Sequence, residues 1–334
     1  MRTAFHVAVV GATGLVGRKM IQVLEERNFP VGQLTLLASP RSAGTQLKFK
    51  GTAYRVDALT PGSFAGVEIA LFSAGATVSR EFAPHAVTAG ALVIDNSSAF
   101  RMDAQIPLVV PEVNPEMILQ NRGIIANPNC STIQMVVALK PLHDIWKIRR
   151  VVVSTYQSVT GAGKKGLTQL EDEIAQRPSG EKKFPHAIAY NILPQVDVFL
   201  DDRYTKEEHK MMEETRKIMG DPNIRVTATC VRVPVYGGHS EAVNVEFEKE
   251  YDMRELVDVL RQTPGIILQD EPERSAYPMP VHSWEKDEVF VGRIRRDPSV
   301  PSGVNLWIVA DNLRKGAATN AVQIAEEWIR RKSD

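Results

Sequence analysis

Apolar and polar positions change period several times along the 334-residue chain. "HVAVVGATGLVGRKMIQVLEER" opens with a short β-branched run and a glycine turn. Apolar residues then recur at Leu15, Val16, Met20, Ile21, Val23 and Leu24, close to a 3.6-residue period. That pattern predicts a strand, a turn and a helix. "LTLLAS", ending at Ser39, predicts a second strand, and "TQLKFKGTAYRVDAL" alternates around Gly51 as a hairpin does. "VEIALFSAG", "ALVIDNSSAF" and "GIIANPNC" predict further strands, with a helix over "TVSREFAPHAVTAG". Strands alternating with helices predict an α/β, Rossmann-type doubly wound parallel sheet.

The pattern changes after "STIQMVVALKPLHDIW", a helix that follows Cys130. "IRRVVVSTYQ" predicts a strand, "SVTGAG" a polar loop and "KKGLTQLEDEIAQ" a helix. Two long strands flank "PVYGGHSE", and more follow near "VFVGRIRR" and "GVNLWIVAD". Long strands with fewer helices between them indicate an α+β domain with a mixed, largely antiparallel sheet. "AATNAVQIAEEWIRRK" closes the chain as an amphipathic helix. The expected domains are 1–129 with 313–334, and 130–312.

Composition narrows the function. Forty basic and forty acidic residues cancel, so no charge field argues for nucleic acid. Two cysteines, Cys130 and Cys230, give neither a disulfide framework nor metal-ligand spacing. No window reaches the roughly 18 apolar residues of a membrane span, and the N-terminus lacks a signal-peptide pattern. A cytoplasmic enzyme is expected, with no metal.

Gly11, Gly14 and Gly17 are spaced GxxGxxG between strand and helix. Small residues there let backbone N–H groups approach a pyrophosphate at a helix N-terminus. The cofactor positions expected at this turn are Gly11, Thr13, Gly14, Leu15 and Val16. Strand two ends without the Asp or Glu that would bond a ribose 2′-hydroxyl. It runs instead into Ser39, Arg41 and Ser42, a cation and two hydroxyls that suit a 2′-phosphate, so NADP is expected. Ser73, Gly75, Asn96 and Ser97 fall at carboxyl ends of strands, where ligands lie in such sheets.

Cys130 stands between an Asn-Pro-Asn turn and an apolar run. It is either a small buried hydrophobe or a thiolate stabilised where a helix opens. His239 follows Gly237 and Gly238 and is an acid/base candidate. Arg232 interrupts the apolar "CVRVPV", where an unpaired guanidinium would be costly, and its fork suits a carboxylate. Gln157 ends a strand and could hold a substrate or orient a carbonyl. Cys230, mid-strand, reads as packing.

"GATGLVG", "NPNCST", "YQSVTGAG", "CVRVPV", "GGHSEA" and "DNLRKGAA" occur in that order. The ordered set resembles aspartate-β-semialdehyde dehydrogenase along essentially the whole chain. N-acetyl-glutamyl-phosphate reductase is related in logic but carries a Pro-Gly-Cys-Tyr-Pro-Thr segment where this chain has Pro128-Asn129-Cys130-Ser131-Thr132. The resemblance implies reversible, NADP-dependent reductive dephosphorylation of L-aspartyl 4-phosphate to L-aspartate 4-semialdehyde, through a thioester on Cys130. The product would serve lysine, threonine, methionine and diaminopimelate biosynthesis. It implies catalytic Cys130, His239 and Gln157. It also implies substrate contacts at Asn129, Arg232 and Glu214, with Arg101 and Lys217 for phosphate, and cofactor contacts at Gly161 and Asn312. A homodimer is implied, with a homotetramer left open, and "RPSGEKKFPHAIAYNILPQVDVF" as an apolar subunit interface. Another acyl phosphate as substrate and a non-catalytic NADP-binding protein are the alternatives.

Overall fold

The computed structural model describes residues 4–178, 180 and 182–333. The chain forms two compact units, Met1–Pro128 with Ala317–Asp334, and Asn129–Gly316. The units therefore part at 128/129 and 316/317, where the sequence placed boundaries at 129/130 and 312/313.

The first unit holds β1 (Phe5–Val10), β2 (Val31–Ala38), β3 (Gln46–Phe49), β4 (Thr52–Ala58), β5 (Ile69–Phe72), β6 (Leu92–Asp95) and β7 (Ile124–Ala126), in the order β3-β4-β2-β1-β5-β6-β7. Only the β3–β4 hairpin is antiparallel; the other pairs are parallel. The helices are α1 (Leu15–Glu26), α2 (Ala76–Thr88) and α8 (Thr319–Ser333). The two-residue period of a strand divides β1 between two cores. Val7 and Val9 pack with Met20 and Leu24 of α1 and with Val322 and Ala325 of α8. Ala8 and Val10 pack with Ala83 and Ala86 of α2. Coverage of both faces is why these strands read as continuous apolar runs. Asn320 pins the start of α8, donating to Val109 O at 3.0 Å and Asn127 Oδ1 at 2.7 Å.

The second unit holds β8 (Ile148–Gln157), β9 (Arg225–Arg232), β10 (His239–Phe247), β11 (Ile266–Leu268), β12 (Val289–Asp297) and β13 (Gly303–Ala310), ordered β11-β12-β13-β10-β8-β9. The β8–β9 and β11–β12 pairs are parallel and the rest antiparallel, so the sheet is mixed. Helix α3 (Cys130–Trp146) packs against this sheet and is buried nearly all round, from Ile133 to Leu139 without a break. Such a helix is apolar on every side. The others are α4 (Lys164–Ile174), α5 (Lys206–Met219), α6 (Met253–Gln262) and the single turn α7 (Pro280–Ser283). On β8, Val151, Val153, Thr155 and Gln157 are buried, whereas Val152, Ser154 and Tyr156 on the opposite face are only half-buried.

The apolar segment after α4 is less exposed than its sequence suggested. Phe184, Ile188 and Leu193 are buried with Val159 and Leu170 in a small core of their own. Tyr190 and Ile192, between them in the same segment, stand exposed. No helix among the described residues is long and apolar enough to cross a membrane.

Candidate active site

Cys130 is the first residue of α3 and is half-buried. Asn129 caps the helix: its Oδ1 accepts from Ser131 N at 3.0 Å and Thr132 N at 3.3 Å. An N-cap ties down part of the first turn and leaves the positive end of the helix dipole at the sulfur. The Asn129 N–H donates to Glu214 Oε2 at 2.6 Å, and its Nδ2 donates to Glu207 Oε1 at 2.8 Å. Two carboxylates from α5 thus clamp the residue before the cysteine. A Cβ built on Gly316 would lie 2.9 Å from Cys130 Cβ, so only glycine allows that strand-to-helix turn to close on the thiol.

The sheet register assembles the other candidates. Gln157 pairs with Arg232, and Tyr156 pairs with Ser240, so His239, Gln157 and Arg232 form one row across β10, β8 and β9. All three are buried. Two positions deeper on the same face, Glu241, Thr155 and Cys230 form a second buried row. Cys230 is thus inside the sheet, where burial pushes its thiol up. Burial likewise pushes the Glu241 carboxyl well above the usual range, a hydrogen bond from Gln134 only partly offsetting it. Gln134, one turn along α3 from Cys130, also donates to His239 O at 3.2 Å.

Ser158 joins this row to the loop above it. Its N–H donates to His239 Nδ1 at 3.1 Å, and its carbonyl accepts from Arg232 Nη1 at 2.6 Å. Its hydroxyl donates to Asn312 Oδ1 at 3.0 Å, which also accepts from Gly238 N at 3.0 Å. Asn312, expected at the cofactor, is therefore also a buried clasp on the histidine loop. Gly161 lies directly over the ionisable groups. A Cβ there would meet Arg232 Nη1 at 2.8 Å and His239 Nε2 at 3.1 Å. Arg232 Nε and His239 Nε2 are buried and have no hydrogen-bond partner among the described residues. Burial and the Arg232 charge push His239 down to about 3.

The strongest contacts missed in the sequence are those of Glu207 and Lys210. Glu207 Oε1 accepts from Gln157 Nε2 at 3.3 Å as well as from Asn129, and its Oε2 pairs with Lys210 Nζ at 3.0 Å. Lys210 pairs also with Asp197 at 2.9 Å. Burial would raise the Glu207 carboxyl, but Lys210, Asn129 and Arg232 outweigh it and hold it at about 2. The expected pair, Glu214 and Lys217, has the same three-residue spacing seven positions later on the same helix. Glu214 is buried against Asn129, and Lys217 is half-buried. Glu207, paired with Lys210, is the α5 glutamate that reaches Gln157, whereas Glu214 reaches the Asn129 N–H. Thr205 caps α5 in a capping box with Glu208, and that pair is the sequence signal for where the helix begins.

In the first unit, the glycine turn is sterically required. Gly11 has φ +84°, and a Cβ on Gly17 would lie 2.2 Å from Gly11 O. A pocket of about 250 Å³, lined by Gly11, Ala38, Ser39, Pro40, Leu59 and Phe82, opens at the carboxyl ends of β1 and β2. Its apolar walls beside a glycine-rich helix N-terminus fit the adenosine end of a dinucleotide. Arg41 is exposed next to it, and Ser42 is half-buried. Ser73 and Gly75 follow β5. Arg101 is buried, donating from Nε to Asn127 O and from Nη2 to Asn96 O, both at 2.9 Å.

A nucleotide-binding unit, and a separate mixed-sheet unit with a cysteine at a helix N-terminus, define a dinucleotide-dependent dehydrogenase of the semialdehyde class. Residues 6–121 match the family model "Semialdehyde dehydrogenase, NAD binding domain", and residues 139–315 match "Semialdehyde dehydrogenase, dimerisation domain". The aspartate-semialdehyde dehydrogenase of Aquifex aeolicus is 58% identical over 98% of both chains. The Vibrio cholerae aspartate semialdehyde dehydrogenase II complexed with ASA superposes with a TM-score of 0.95, at 53% identity over 98% of this chain and 99% of that one. An aspartate semialdehyde dehydrogenase with NADP from Candida albicans has a TM-score of 0.77, at 26% identity over 99% of each chain. The chain belongs to the aspartate-semialdehyde dehydrogenase family.

Proposed function

We propose that this protein reduces L-aspartyl 4-phosphate to L-aspartate 4-semialdehyde with release of inorganic phosphate, reversibly and with NADP(H). The reaction supplies lysine, threonine, methionine and diaminopimelate biosynthesis. The observation that carries the reading is the position of Cys130, first residue of a capped helix, with a buried arginine and imidazole side by side on the adjoining sheet.

Cys130 attacks as the thiolate, favoured by the helix N-terminus and by the Arg232 charge, which interacts with it electrostatically. The sulfur–carbon bond forms as the carbon–oxygen bond to phosphate breaks, leaving an aspartyl thioester on Cys130. NADPH, when bound, supplies the hydride that takes the thioester to the aldehyde level. Arg232 offers its unpartnered Nε side to the substrate α-carboxylate, for which a planar fork is suited. Gln157 and Asn129 border the acyl group, and the ionised Glu207 faces its ammonium. Glu207 and Lys210 take the parts that the motif reading gave to Glu214 and Lys217, because Glu207 accepts from Gln157 and holds Lys210 beside it. His239 serves the carbonyl oxygen through Nε2.

Gly11, Thr13, Gly14, Leu15 and Val16 supply the pyrophosphate turn, with Ser73 and Gly75 beside it. Ser39, Arg41 and Ser42 take the 2′-phosphate. The half-exposed face of the mixed sheet, where the Tyr156 and Trp307 rings lie tilted against each other with centroids 5.5 Å apart, is the surface offered to a second copy of the chain. The test is a substrate comparison with NADP⁺ and phosphate present. Aspartate semialdehyde should be oxidised at least ~100-fold more efficiently than N-acetyl-glutamate semialdehyde, a ratio in the range that missing polar contacts produce. Equal efficiencies would contradict the assignment.

A further inference from the structure

Arg232 is held by the chain that follows α4 in two different ways. Its backbone is paired with Leu193: Arg232 N donates to Leu193 O at 2.8 Å, and Leu193 N donates to Arg232 O at 2.9 Å. Its guanidinium carbon lies 5.8 Å from the centre of the Phe184 ring. The ring cannot retreat. It is buried, and a Cβ on Gly166 would lie 3.0 Å from Phe184 Cζ, so it rests on the backbone of α4. Helix α4 also fixes the chain that carries it. Gln169 Oε1 accepts from Lys183 N at 2.7 Å and from Phe184 N at 2.9 Å. Glu173 Oε2 accepts from Ile188 N at 2.7 Å and from Ala189 N at 2.8 Å.

An aromatic face holds a cation without consuming its N–H groups. A carboxylate in the same place would occupy the guanidinium fork and cancel its charge before any substrate arrived. Arg232 spends Nη1 on Ser158 O at 2.6 Å, while Nε is buried and has no hydrogen-bond partner among the described residues. Burial draws the guanidinium down from its ordinary value, and the charges of Glu207 and Cys130 only partly oppose that. A ring beside it therefore stabilises the cation and leaves a donor free.

We propose that Phe184 is the positioning residue for Arg232, its ring holding the guanidinium in the one orientation that reads the substrate α-carboxylate. The proposal deepens the aspartyl reading and rests on it. Phe184 touches neither Cys130 nor the reacting carbonyl in this account, so its influence falls on recognition of the carboxylate and not on the thioester chemistry. Gln169, Glu173 and Gly166 serve the same end one step further out, by fixing where the ring lies.

The test uses the full-length protein with NADP⁺ and phosphate and two aldehydes. One is aspartate semialdehyde. The other is β-aminopropionaldehyde, which keeps the aldehyde and the amine and lacks the α-carboxylate. Phe184→Leu keeps an apolar side chain and removes the π face. Its KM for aspartate semialdehyde should rise about three- to thirtyfold, the span of a desolvated cation–π contact. Its kcat, and its kcat/KM for β-aminopropionaldehyde, should stay within about twofold of wild type. In an Arg232→Gln background, where no cation remains, adding Phe184→Leu should change KM by less than about twofold. Equal losses for the two aldehydes, or the same penalty in the Arg232→Gln background, would show that the ring only packs and would overturn the proposal. Phe184→Met fills the site with a flexible apolar chain and is judged by the same results if the leucine variant does not fold. Failure of the aspartyl reading would appear separately, as equal use of both aldehydes by the wild type.

Discussion

Glu207→Gln removes one charge while keeping the shape of the side chain. In the wild type, Glu207 is 5% exposed and collects Asn129 Nδ2 at 2.8 Å, Gln157 Nε2 at 3.3 Å and Lys210 Nζ at 3.0 Å. Burial works against the carboxylate, but Lys210, Asn129 and Arg232 prevail and lower it from 4.5 to about 2. A shift of that size corresponds to about 3 kcal/mol of folding stability. The folded protein holds this proton less tightly than the unfolded chain. The stabilisation is therefore complete above about pH 4.5 and is lost as pH falls towards 2. Urea unfolding followed by circular dichroism, in wild type and variant across a pH series, reads the difference directly. The variant should be about 3 kcal/mol less stable at pH 7, and the gap should close on acidification through that window. A gap below ~0.5 kcal/mol, or one that stays constant from pH 7 to pH 3, would refute this view of Glu207 as an ionised hub.

Gly161→Ala puts a methyl group 2.8 Å from Arg232 Nη1 and 3.1 Å from His239 Nε2. Displacing either should lower kcat by about 100-fold with little loss in thermal midpoint, and steady-state kinetics beside a melting curve checks both. Arg232→Lys keeps the charge and loses the fork. Its KM for aspartate semialdehyde should rise about ten- to a hundredfold while that for phosphate moves less than about threefold; equal changes would undo the carboxylate assignment. Cys130→Ser should lose turnover by on the order of 10⁴-fold or more and keep its NADP affinity, read by fluorescence titration.

Much of the fold is legible in local pattern. The runs of β1, β5 and β6 and the amphipathic spacing of α1 report a two-sided core, because strands covered on both faces have no polar alternation to obscure them. Burial around α4 was misjudged at Phe184, Ile188 and Leu193, since an apolar segment with Pro and Asn in it reads the same whether it meets its own chain or another. At the site, Cys130, Gln157, Arg232 and His239 were legible as motifs because each ends or begins an element. Glu207 and Lys210 were not. Helix α5 carries Glu207, Glu208, Glu213 and Glu214 and three basic residues after Lys206, and only the packing of one face against Asn129 and Gln157 selects among them. Ser158 was passed over for a related reason. Its decisive group is a backbone N–H, which no side-chain motif records.

Incubating the protein with aspartyl phosphate in the absence of NADPH, then digesting it and weighing the peptides, interrogates the covalent chemistry itself. The peptide containing Cys130 should gain the mass of one aspartyl group and lose it on treatment with hydroxylamine. An unmodified Cys130 peptide in a preparation that turns over normally once NADPH is added would contradict the thioester route.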